Sequence, residues 1–142
     1  MEQSFVALKH YAHKVGINYW HVEFDTKYRH KMFGKFKQQH IAAASIRRIA
    51  HRHNIKIHTL SVMPDHVHMR VSLLHGMTDS QALNLLKSGS AYYFFKNHPK
   101  SKLRLPQGHL WSSGGCVTTV GYNDIDTVDN YILHQAEHHT LT

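Results

Sequence analysis

Two histidines one residue apart, His66 and His68, and a tyrosine with a glutamine four residues beyond it, Tyr131 and Gln135, have spacings that could do chemistry. On a strand, residues i and i+2 share a face, and two imidazoles placed that way are close enough to grip one metal ion. On a helix, i and i+4 share a face, so Tyr131 and Gln135 would stand one turn apart. Neither spacing decides the matter alone. Histidine makes up 16 of the 142 residues, so a His-x-His triplet is expected roughly twice by chance. A second one does occur, at His51-Arg52-His53. The ordinary alternatives are a polar strand face for the histidines and a tyrosine packed at the rim of the core.

The surrounding elements separate the two triplets. From Asn18 to Asp25, Trp20, Val22 and Phe24 alternate with Tyr19, His21 and Glu23, the pattern of a half-buried strand. A basic turn follows, Lys27-Tyr28-Arg29-His30. Phe36 to His53 reads as a helix with Ala42, Ile46 and Ile49 on one stripe, ended at Asn54, so His51 and His53 diverge around its tail. Ile55 to Met63 is a second strand, Pro64-Asp65 a tight turn, and His66 to Leu74 a third strand antiparallel to the second. In that third strand Val67, Met69, Val71 and Leu73 point one way, and His66, His68, Arg70 and Ser72 the other.

Thr78 with Gln81 has the form of a capping box. It opens a helix through Leu83, Leu86 and the Tyr92 to Phe95 aromatics, with Pro99 just beyond its end. A basic loop, Lys96 to Arg104, leads to a fourth strand around Trp111 to Val120. Asn123 or Asp124 caps a last helix that carries Tyr131, with Ile125, Val128 and Ile132 as its apolar stripe. The order predicts an α+β fold: a ferredoxin-like or RRM-like antiparallel sheet with helices on one face, plus an extra C-terminal helix bearing the tyrosine. The sheet face with His66 and His68 is expected to stay open or to be covered by a partner.

The length fits one domain over residues 1–142. Lys and Arg exceed Asp and Glu, 17 against 9, a net charge of +8 that favours a polyanionic partner, nucleic acid foremost. Cys116 is the single cysteine, which excludes an internal disulfide and a cysteine-cluster zinc site. No apolar run is long enough for a signal peptide or a membrane span, so a cytoplasmic location with direct access to DNA is expected. Lys27, Arg29, Lys96, Lys100, Lys102 and Arg104 are candidates for phosphate contacts, the alternative being a solvated basic surface.

Met63-Pro64-Asp65-His66-Val67-His68, then Leu110-Trp111, then Tyr131-Ile132-Leu133-His134-Gln135 together resemble the single-tyrosine HUH transposases, the small transposases of IS200-like insertion sequences. The resemblance runs from about Tyr19 to Gln135 and includes the basic turn and Thr119-Val120-Gly121; where the family often has an aromatic, this chain has Gly115. It implies that His66, His68 and Gln135 hold a divalent ion, Mg2+ by family analogy, although two imidazoles suit Mn2+ at least as well. It implies that Tyr131 is the nucleophile that forms a covalent 5′-phosphotyrosine and frees a 3′-hydroxyl. A free tyrosine has a pKa near ~10, so its proton must be taken up or its pKa lowered.

The expected partner is single-stranded DNA with hairpin ends, at a prokaryotic nucleoid. Similar transposases act as homodimers in which the tyrosine helix of one subunit can complete the metal site of the other, and the Gly121 to Asp124 connection is a candidate hinge. The rival readings are a domesticated HUH nuclease processing repetitive hairpins, a non-catalytic RRM-like single-strand binder, and a histidine-rich metal-storage protein. Tyr122 lies just before the last helix, which itself carries only Tyr131, and this favours the single-tyrosine class over replication initiators.

Overall fold

A computed structural model of the chain describes residues 19–74 and 76–140, with side chains through 134. Four strands, β1 (Tyr19–Asp25), β2 (Lys56–Val62), β3 (His66–Ser72) and β4 (Cys116–Val120), form one antiparallel sheet in the order β2-β3-β1-β4. Three helices accompany it: α1 (Phe36–Arg52), α2 (Asp79–Asn97) and α3 (Ile125–Thr140). The expected ferredoxin-like α+β architecture is what the chain adopts.

The two central strands supply the middle of the core. Val22 and Phe24 of β1 and Val67, Met69 and Val71 of β3 face α1 and α2 and are almost completely buried. Each such side chain contributes about 1.5–3 kcal/mol by leaving water. The helices press closely on each other because Gly89 of α2 has no side chain: a Cβ there would lie 2.1 Å from Ile49 Cγ1 of α1. Thr78 caps α2 as expected, its hydroxyl accepting from the Gln81 backbone at 3.1 Å while the Gln81 side chain accepts from the Thr78 backbone at 2.9 Å. Asn54, with φ 58°, turns the chain out of α1.

Two expectations change. The fourth strand is shorter, because the chain from Trp111 makes only an isolated bridge to Thr26 before Gly114 (φ 78°) and Gly115 (φ 151°) bend it into β4 at Cys116. Lys87 pins that bend by donating to the carbonyls of Ser112 and Gly114. A Cβ at Gly115 would lie 3.1 Å from the Glu23 carbonyl and from Leu83, a tight fit at a φ that side chains rarely adopt.

The second change concerns the polar sheet face. It is covered, and by the chain itself: α3 packs against β2 and β3, and every residue of β3 is buried. No helix among the described residues is long and apolar enough to cross a membrane.

Candidate functional site

The turn between β2 and β3 is held firmly. Thr26 donates its backbone N–H to the Asp65 carbonyl at 2.9 Å, and its buried hydroxyl lies 2.6 Å from the His30 carbonyl and 3.1 Å from that of Asp65. Asp65 in turn accepts from His66 Nδ1 at 2.7 Å. A carboxylate can only accept, so this bond places the proton on Nδ1 and makes Nε2 the lone-pair nitrogen of the ring. Burial acts to raise the Asp65 carboxyl, but the hydrogen bond from His66 and the nearby Arg29 charge outweigh it and hold the group below its ordinary value.

Arg29, expected to contact phosphate, bridges Asp65 and Asp25, each at 3.3 Å, with its side chain more than half exposed.

His68 lies one pleat further along β3 and is fully buried. Its ring meets that of His66 edge-on, centroids 4.8 Å apart. The β1–β3 ladder sets Glu23 directly opposite it and His21 diagonally nearby. His68 Nδ1 is 3.3 Å from His21 Nε2, their rings stacked with 5.5 Å between centroids, and His68 Nε2 is 3.6 Å from a Glu23 oxygen. Burial pushes His21 below the ordinary histidine value, against the opposing pull of Glu23. The neutral form so favoured is the one that can ligate a metal.

His21, Glu23 and His68 each offer one ligand atom within 4.8 Å of the others. Donors opposed across one ion at ~2.1 Å stand about 4.2 Å apart, so a side-chain shift of well under an ångström closes this set. Two imidazoles and a carboxylate are a donor set that divalent ions accept. The site thus fits a metal, and His21 and Glu23 join it without having been singled out from the sequence. The signal was present: both alternate onto the polar face of β1, and β1 is the neighbour of β3 in a ferredoxin-like order. Gln135, the expected third ligand, has its side chain outside the described residues.

Tyr131 stands over this cluster. Its ring is edge-on to His68 (5.6 Å, 88°) and to His21 (6.0 Å, 86°), and the residue is 54% exposed. His21, His68 and the tyrosine therefore meet within one chain. The helix α3 that carries it is seated by buried Ile125 and Ile132 and by Val128, with Tyr19 and Val120 beneath its first turn.

The basic residues gather elsewhere. Lys27, Lys87, Tyr92, Lys96, Lys102 and Trp111 line a groove of about 900 Å³ along α2. Arg104 lines a smaller neighbouring hollow with Lys27, and Lys100 is exposed on a 3₁₀ turn, Pro99–Leu103. Exposed Tyr92 carries Lys96 over its ring at 5.8 Å.

Comparison with known proteins gives concordant results. The family described as "Transposase IS200 like" matches residues 14–135. The ISDra2 transposase TnpA of Deinococcus radiodurans is 30% identical over 116 residues, 82% of each chain. A crystal structure of a Deinococcus radiodurans protein assigned as a transposase superposes with TM-score 0.65 at 28% identity, covering 82% of this chain and 89% of that one. A REP-associated tyrosine transposase bound to a REP hairpin shares the fold, TM-score 0.63 at 15% identity, over 87% of this chain and 68% of the other.

Proposed function

Because the chain belongs to the family of IS200-like transposases, we propose that it cleaves and rejoins single-stranded DNA at insertion-sequence ends, with Tyr131 as nucleophile. The observation that carries this reading is the tyrosine ring held edge-on to His68 and His21 while half of the residue stays open to solvent. A strand can reach the ring from solvent while the imidazoles lie beneath it.

In this reading the tyrosine oxygen attacks the scissile phosphorus. The bond to the 3′-oxygen breaks, leaving a 3′-hydroxyl and a 5′-phosphotyrosine. Attack by a second 3′-hydroxyl reverses the step on a new partner, so one phosphoester replaces another and rejoining needs no nucleotide triphosphate. His66 and His68, with Gln135, His21 and Glu23 as further donors, would hold a divalent ion, Mg2+ or Mn2+. When bound, that ion supplies positive charge to the phosphate oxygens as negative charge builds on them. Asp65 keeps the His66 ring aimed, so the donor geometry is set before DNA arrives.

The groove along α2 suits the flanking strand. Lys27, Lys96 and Lys102 offer charge to phosphates, and Tyr92 a face on which a base can stack. A hairpin-ended single strand is the partner proposed, handled by a homodimer at the nucleoid.

The test is incubation with labelled single-stranded element ends and Mn2+. The wild-type chain should give a protein–DNA adduct stable in a denaturing gel. Tyr131→Phe should bind the same DNA and give none. An adduct from Tyr131→Phe would remove the tyrosine from its role, and cleavage undiminished by a chelator would remove the metal.

A further inference from the structure

Arg70 lies on β3 two residues beyond His68, with its side chain on the same face and almost fully buried. It makes a two-pronged ion pair with Asp129 of α3: Nε to Oδ1 at 2.6 Å and Nη2 to Oδ2 at 2.9 Å. Thr59 of β2 donates to the same Oδ1 at 3.2 Å, and the guanidinium lies 5.0 Å from the centre of the Tyr19 ring. Among the described residues Asp129 is the one hydrogen-bond acceptor that this guanidinium meets, and its Nη1 is buried without a partner.

Helical spacing puts Asp129 and Tyr131 about 200° apart around α3. They therefore flank the buried Ile125–Val128–Ile132 stripe from opposite sides. Their partners agree: Asp129 reaches Thr59 on β2, whereas Tyr131 meets His21 on β1, with β3 running between. An apolar stripe alone resists a helix lifting off but hardly resists its rolling. A roll of about 20° would move a ring ~6 Å from the helix axis by roughly 2 Å. Displacements of that size are enough to disable an oriented attack.

We propose that Arg70 and Asp129 are positioning residues: their ion pair fixes the roll of α3 and so sets Tyr131 over His68 and His21 of its own chain. A planar guanidinium held at two points by a carboxylate defines orientation as well as distance, which a lysine or a lone hydrogen bond would not. Its consequence for the reaction rests on Tyr131 being the nucleophile; its structural content does not.

The test uses Arg70→Met with Asp129→Leu, which removes both charges together and avoids stranding one in the interior. Fluorotyrosine placed at position 131 reports the ring's surroundings by its fluorine resonance. In the parent the resonance should be single and displaced by the imidazoles; in the double variant it should move toward the value of a solvated tyrosine. At saturating DNA, adduct formation should slow at least about tenfold with DNA affinity unchanged. An unmoved fluorine resonance in the folded double variant overturns the proposal. A moved resonance upholds it even if Tyr131→Phe still forms adducts, a result that would defeat only the nucleophile assignment. Arg70→Lys, which keeps the charge but loses the two-point hold, is the second variant and is read in the same way should the first not fold.

Discussion

Glu23 faces His68 across the β1–β3 ladder, its carboxylate oxygen 3.6 Å from the histidine's Nε2. If a divalent ion sits among these donors, Glu23 brings the negative charge that imidazoles lack. Glu23→Gln is expected to weaken Mn2+ binding by about 10- to 100-fold while leaving the fold intact. Titration of the apo chain followed by the Mn2+ electron paramagnetic resonance signal measures this directly. Unchanged affinity would place the ion away from β1.

Asp65 is expected to link acid sensitivity to the aim of His66. Its folded-state pKa is depressed, so its contribution to stability is present above the unfolded value of about 3.9 and is lost as pH falls through the folded one. Asp65→Asn should therefore lower the melting temperature at pH 7, and the difference from wild type should shrink as pH drops below about 4. Thermal melts across pH 2–7 would show it. A constant gap at all pH values would count against the charged bond.

Gly89→Ala should destabilise the protein, although alanine favours a helix over glycine by about 1 kcal/mol. The new Cβ meets Ile49 not only at Cγ1 but also at its branch point, 2.8 Å away at Cβ. Rotating the isoleucine cannot clear that contact. A net loss of about 1–3 kcal/mol is expected by denaturant unfolding, and Ile49→Ala in the same chain should recover part of it.

Replacing Lys27, Lys96 and Lys102 together by alanine should weaken single-strand binding without touching the chemistry. If each meets one phosphate, the slope of log affinity against log salt should flatten by about 2. Fluorescence anisotropy over a salt series measures the slope, and single-turnover adduct formation at saturating DNA should be unaltered.

The sequence exposed the pieces of this site unevenly. The alternation Val67, Met69, Val71 against His66, His68, Arg70 marked both faces of β3, because a strand's period of two depends on nothing outside it. Thr78 and Gln81 announced the start of α2 for the same local reason. His21 and Glu23 alternate just as plainly, but their tie to His68 arises from register between strands more than forty residues apart. Pairing at that range is set by the whole sheet. The cover over the polar face was less legible still: it includes Arg70 meeting Asp129, a partner 59 residues away that no periodicity connects to it. The ion pairs of Arg29 were not legible either, since Asp25 and Asp65 converge on it only once the two strand ends meet.

The seating of α3 on its own sheet has a kinetic corollary. When a tyrosine and the histidines beneath it come from one polypeptide, their encounter is first order in protein and needs no collision. Diluting the chain far below any self-association constant should then leave the rate of adduct formation per chain unchanged. A rate that falls in proportion to concentration would instead mark a tyrosine lent from one molecule to another.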